Sequence, residues 1–92
     1  MDTLIFSQTA IFRLQQLGSQ YYHHTGVRHR LANEGGILEL LQSSALITDR
    51  KVRGAYDAFV TELNKRQIDA LVERGIKLRF PIHASSSIRQ AG

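Results

Sequence analysis

A single proline interrupts this 92-residue chain, and it stands at position 81. Nothing before it imposes the fixed φ and missing N–H that break helices. Ala10, Leu14, Leu17 and Tyr21 recur at steps of four, three and four, and Val52, Tyr56, Phe59 and Leu63 repeat the same rhythm. That spacing lines one face of an α-helix with apolar side chains and predicts a helical core.

The first helix is expected from about Leu4 to Tyr22, with Asp2 or Thr3 as its cap. Ile5, Phe6, Ile11 and Phe12 widen its apolar band, which predicts cover on two sides, one of them supplied by a second copy. In "HHTGV", Gly26 stands where a left-handed terminal residue is wanted. "VRHRLAN" (27–33) fits a short helix or a loop. Asn33 is placed to cap "EGGILELLQSSAL", whose Ile37, Leu38, Leu40, Leu41 and Ala45 form an apolar face, and Thr48 or Asp49 can cap the next helix.

Two arrangements fit residues 49–74. No Gly or Pro lies between Ala55 and Arg74, which suits one uninterrupted helix; Asn64 followed by Gln67 is a capping-box variant, which suits two helices parted near Thr61–Asn64. Gly75 ends the run in either case. Ile76, Leu78, Phe80, Ile82 and Ala84 then alternate with Lys77, Arg79 and His83, the period of a half-buried strand. Pro81 confines it to an edge or a break, and its ladder partner must come from another subunit or another part of the fold. The expected fold is mainly α, three to four helices and one C-terminal β-strand on a helix-turn-helix-like core, in one domain over 1–92.

A chain this short buries only about 60–65% of its unfolded surface, so a homo-oligomer, a homodimer before a monomer, is expected. The absence of cysteine excludes disulfide frameworks, thiolate nucleophiles and cysteine-based zinc sites. No apolar run nears the roughly 18 residues of a membrane span, and Asp2 stands where a secretory leader would be basic, so a cytoplasmic protein without a membrane partner is expected. The net charge of +4 has an uneven source. Residues 1–46 balance, residues 47–73 balance, and the excess lies in Arg74, Lys77, Arg79 and Arg89, in a segment without acids.

In "ILELL", "ITDRKV" and "LVERGI", followed by the alternating segment, the chain resembles the winged-helix DNA-binding domains of bacterial regulators over some forty residues, Ile37 to Ile76. The resemblance implies a recognition helix ending near "LVERGI" and a basic strand beside it. It departs from the pattern in "YDAFVTELN", which has no glycine at the turn, and at Asn64, where an apolar residue would be buried. A plain helix-turn-helix can also be drawn earlier, with Leu41, Ala45, Ile47, Val52 and Ala55 inward and Thr48, Asp49, Arg50 and Arg53 outward; there Leu46 takes the place of the turn glycine and Gln42 that of a small residue. Arg50, Lys51, Arg53, Lys65, Arg66, Lys77 and Arg79 are the candidate contacts to nucleic acid. Both candidate recognition helices are charge-balanced, and only the segment with Lys77 and Arg79 is purely basic. Lys77, Arg79 and Pro81 would equally serve to guard an exposed strand edge against unwanted pairing.

Other chemistry finds little support. His23, His24 and His29, with Glu34, have no helical ligand spacing, and histidines at a helix C-terminus interact with its dipole, so no metal is expected. No glycine-rich phosphate loop is present, and Asp69 and Glu73 share a helix with Lys65 and Arg66 in the manner of surface ion pairs. Neither an enzyme, a cofactor nor a small-molecule substrate is expected. The leading expectation is a small regulatory protein that binds nucleic acid, DNA above RNA. The alternative is a helical protein-interaction module, or a subunit of an assembly, whose basic residues keep it in solution.

Overall fold

The computed structural model describes residues 4–80. Four helices fill most of them: α1 (Gln8–Thr25), α2 (Glu34–Ser44), α3 (Arg50–Thr61) and α4 (Lys65–Glu73). Among the described residues there is no strand.

The first helix starts later than its apolar pattern predicts. Ser7, not Asp2 or Thr3, is the N-cap, its Oγ accepting a hydrogen bond from the Ala10 N–H at 3.1 Å. Residues 4–7 are non-helical and lie over the core, with the Phe6 ring edge-on to Phe59 at 5.5 Å. A cap placed inside an apolar run therefore outranks the run itself. At the other end Gly26 takes the left-handed conformation (φ 78°) and donates its N–H to the Tyr22 carbonyl. Residues 27–33 form a loop with a turn rather than a helix.

The spacing that predicts the inner face of α1 selects the right residues: Ala10, Leu14, Leu17 and Tyr21 are all buried. They pack on Val52, Tyr56, Phe59 and Val60 of α3, on Leu40 and Leu41 of α2, and on Leu71 and Ile76. The two principal helices run antiparallel, since Arg13 faces Glu62 (3.9 Å) at one end while His24 faces Asp49 (3.8 Å) at the other. At Gly18 a methyl would stand in ordinary contact with the Leu31 and Leu40 side chains, at 3.4 and 3.6 Å. Gly36 is more constrained. A methyl on it would collide with the Arg30 carbonyl, whose carbon lies 2.7 Å from the Cβ position, so the loop backbone rests directly on the first turn of α2.

The run from 49 to 74 is two helices. Thr61 ends α3, residues 62–64 turn, and Asn64 opens α4 with a complete capping box: its side chain accepts from the Gln67 N–H at 2.9 Å while Gln67 Oε1 accepts from the Asn64 N–H at 3.0 Å. Reciprocal side-chain hydrogen bonds thus achieve a break for which no Gly or Pro was required.

Gly75 (φ 85°) closes α4 with paired bonds, its own N–H to the Val72 carbonyl and that of Ile76 to the Leu71 carbonyl at 3.0 Å. Ile76 folds inward against the core, as this type of helix ending favours. The alternation expected of a strand survives in burial only as far as Arg79, with Ile76 buried, Lys77 exposed, Leu78 half-buried and Arg79 exposed; Phe80, expected to face inward, is 51% exposed. The ladder does not form over 76–80, because backbone donors are spent elsewhere: Ile76 N–H on α4 and Arg79 N–H on the Tyr56 hydroxyl at 3.1 Å. The remainder of the expected strand, 81–84, lies outside the described residues.

Candidate nucleic-acid interface

Three short segments carry the candidate bases. Asp49 caps α3, its Oδ2 accepting from the Lys51 and Val52 N–H groups at 3.0 and 3.1 Å, and this sets Arg50 and Lys51 in the first turn, both exposed. Asn64 sets Lys65 and Arg66 in the first turn of α4, again exposed. Lys77 and Arg79 follow Gly75.

In α4, Gln67 and Leu71 point inward, leaving Lys65, Arg66, Asp69, Val72 and Glu73 on the outer face. Lys65 donates to Asp69 at 3.0 Å, an exposed i,i+4 pair. Arg66 has no ion pair among the described residues.

The sequence places Arg53 and Arg79 apart, and the fold brings both to Tyr56, Arg53 to its ring and Arg79 to its hydroxyl. Arg53 lies 5.6 Å from the Tyr56 ring centroid and 3.7 Å from Asp57, too long for a hydrogen bond, and its Nη1 is enclosed without a hydrogen-bond partner. Arg79 donates from its guanidinium to the Ala45 carbonyl at the end of α2 (2.8 Å) and from its backbone to Tyr56. Burial pushes the Tyr56 phenol above its ordinary pKa, opposed by the Arg79 hydrogen bond and by the charges of Arg53 and Arg79, and assisted by Asp57.

The seven candidates therefore divide. Arg53, Lys65 and Arg79 are engaged within the molecule, whereas Arg50, Lys51, Arg66 and Lys77 carry no ion pair among the described residues. They are not one patch. Lys65 and Arg66 follow the C-terminal end of α3, and Arg50 and Lys51 begin it, so the length of that helix, about 18 Å at 1.5 Å per residue, separates them. Arg74 is spent differently, its Nε donating to Glu34 at 2.8 Å and its Nη1 to the Ala70 carbonyl, which ties α4 to α2.

Of the earlier helix-turn-helix alignment, Leu41, Ala45 and Val52 are buried, Ile47 and Ala55 half-buried. Leu46 is 82% exposed at the turn between α2 and α3. The histidines disperse. His23 and His24 border a polar hollow with Gln20, Asp49 and Lys51, while His29 packs on Tyr21 and lies 3.5 Å from Glu39. No cluster of three or more His, Asp or Glu side chains among the described residues could hold a metal ion.

Sequence reasoning missed two features. One is the long-range bond from Gln67 Nε2 to the Ile5 carbonyl (3.1 Å), which couples the α4 cap to the N-terminal segment; a glutamine on an inward helical position is its only trace in the sequence. The other is an apolar cleft of about 620 Å³ between residues 4–6, α1 and α2, bordered by Leu4, Ile5, Ile11, Leu31, Ala32 and Ile37. Glu34, with Gln15 and Asn33, supplies the polar part of that lining. Among the described residues no helix is long and apolar enough to cross a membrane. No family model, curated protein or solved structure matches this chain.

Proposed function

We propose that this protein binds nucleic acid, double-stranded DNA in particular, through the α3–turn–α4 unit. The carrying observation is the three-residue turn at 62–64 with its capping box, which sets off a nine-residue helix held by Gln67 and Leu71 and leaves its opposite face outward. A short helix presented in this way is the element that docks in a major groove. Arg66 on that face and Arg50, Lys51 and Lys77 outside it supply the phosphate contacts, which fix register without reading sequence. Lys65 joins them by giving up its exposed pair with Asp69, worth a few tenths of a kcal/mol. Arg79 ties the segment after α4 to Ala45 and Tyr56 beneath, and Arg53 packs on Tyr56 within α3.

Fluorescence anisotropy with a short labelled duplex tests this reading across a salt series. Each neutralised phosphate contributes a log–log slope of about −0.9, so the four unpaired bases give about −3.6 and, with Lys65, the slope reaches at most about −4.5. Arg66→Glu with Lys77→Glu should abolish binding while the helical circular dichroism stays unchanged. Failure to retain DNA or RNA even at low salt would remove the proposal.

A second reading, a protein-interaction module, draws on the apolar cleft beside α1, whose dimensions suit the apolar side chains of a partner segment. It takes precedence if nucleic acid is not retained.

A further inference from the structure

The apolar cleft of about 620 Å³ takes its walls from three parts of the chain: residues 4–6, α1, and the stretch that leads from Leu31 into α2. Clefts of roughly 300–1,000 Å³ are the size that takes small molecules. Two of its apolar side chains stand in water, Ile5 at 69% and Ile11 at 42% exposure. Covering them removes apolar surface from solvent, which is the general drive for a ligand to enter.

The polar side of the cleft sets what the occupant carries. Glu34 is the one ionisable residue in the lining, and its Oε2 already accepts from Arg74 Nε at 2.8 Å. The carboxylate is therefore charge-matched before anything binds. Its Oε1 makes no hydrogen bond among the described residues and can accept one from a ligand hydroxyl. An anion would meet that carboxylate with no base in the lining to hold it. A cation would have to compete with Arg74 for it while giving up its water to an apolar site. A neutral, largely apolar molecule with one hydroxyl meets neither obstacle.

The same walls hold α4. Gln67 Nε2, in its first turn, donates to the Ile5 carbonyl at 3.1 Å, and Arg74, at its C-cap, donates to Glu34. Both residues that receive these bonds line the cleft. A molecule seated between Ile5 and Glu34 thus lies against the acceptors by which the two ends of α4 are fastened.

We propose that the cleft is a binding site for a small uncharged molecule with an apolar body and a hydroxyl group, and that its occupancy is transmitted to α4 through Ile5 and Glu34. The site holds whether or not the protein binds nucleic acid, and it gives the cleft a small occupant in place of a partner's side chains.

Titration of isotope-labelled protein with n-octanol, followed by amide NMR, tests it against octanoate and octylammonium, which share the chain and differ in the head group. Octanol should give saturable shifts at Ile5, Ile11, Leu31 and Ile37, and both ions should bind at least about tenfold more weakly. Ala32→Trp fills the cleft from an exposed lining residue, and should weaken octanol binding at least about tenfold with the helical spectrum unchanged. Leu46→Ala, which removes an exposed apolar side chain beyond the C-terminal end of α2, should leave octanol binding as it is. The Gln67 side-chain amide and the Arg74 Nε–H should shift with the same saturation as the cleft walls. Octanol shifts confined to those walls overturn the link to α4. Absence of saturable binding, an ion bound as tightly as octanol, or binding indifferent to Ala32→Trp overturns the site.

Discussion

Two glycines in helices should respond to the same substitution with opposite sign. Gly54 lies inside α3 and a methyl there would meet nothing within 4 Å. Gly54→Ala therefore collects the ordinary helical advantage of alanine, about 0.8–1 kcal/mol, largely by restricting the unfolded chain. Gly36 lies in the first turn of α2, and its methyl would fall on the Arg30 carbonyl, with the carbonyl carbon at 2.7 Å and the Arg30 nitrogen at 3.2 Å. Backbone cannot swing aside as a side chain can, so the whole loop 27–33 must lift. Overpacking of this kind costs about 1–3 kcal/mol, which exceeds the alanine advantage and leaves Gly36→Ala a net loss of up to about 2 kcal/mol. In a domain of this size about 1 kcal/mol corresponds to 4–8 °C in Tm. Thermal unfolding followed by circular dichroism should show Gly54→Ala melting higher than the parent and Gly36→Ala lower. A Gly36→Ala protein as stable as the parent would refute the close approach of the loop to α2.

Three further outcomes follow from the contacts described. Asn64→Ala removes one half of the α4 cap and should cost about 1 kcal/mol in urea unfolding, and Gln67→Ala should cost more, since it also frees the Ile5 carbonyl. Tyr56→Phe should cost about 0.5–1.5 kcal/mol and raise hydrogen exchange at the Arg79 amide, which loses its acceptor. Because the Tyr56 phenol has a raised pKa in the folded state, the stability it contributes is fully present below its ordinary value of 10.0 and is lost as pH rises beyond that; urea midpoints measured up the alkaline range should fall more steeply for the parent than for Tyr56→Phe.

Much of the helical frame was legible in the sequence because its signals are local. Asn33 caps α2 and Gly26 ends α1 in the left-handed conformation, as their positions predict; Asp49 and Asn64, each one of two readings that the sequence leaves open, cap α3 and α4, and Gly75 ends α4. The inner faces of α1 and α3 follow from spacing alone. The misplaced start of α1 shows the limit of that logic. Leu4, Ile5 and Phe6 are as apolar as a helix interior, and only the Ser7 cap, with Phe6 finding Phe59 some fifty residues away, makes them a covering segment. The Lys77 and Arg79 pair illustrates the same difficulty for a site. As letters they are two equal bases on one strand face; in the fold Lys77 is outside and Arg79 is tied to Ala45 and Tyr56, a distinction that depends on partners 34 and 23 residues distant. For that reason Arg79→Glu would disturb the scaffold, and Arg66 with Lys77 forms the cleaner test.

The pairing of α1 with α3 has a consequence for how the chain acquires its structure during synthesis. While only α1 and α2 have left the ribosome, the stripe of Leu14, Leu17 and Tyr21 has Leu40 and Leu41 to pack on but lacks the α3 surface that will cover it. Docking must wait until Val52, Tyr56 and Phe59 emerge, with α2 enclosed in the loop that closes. A stalled or truncated nascent chain ending before α3 would leave those side chains only partly covered, and would be a natural client for chaperones.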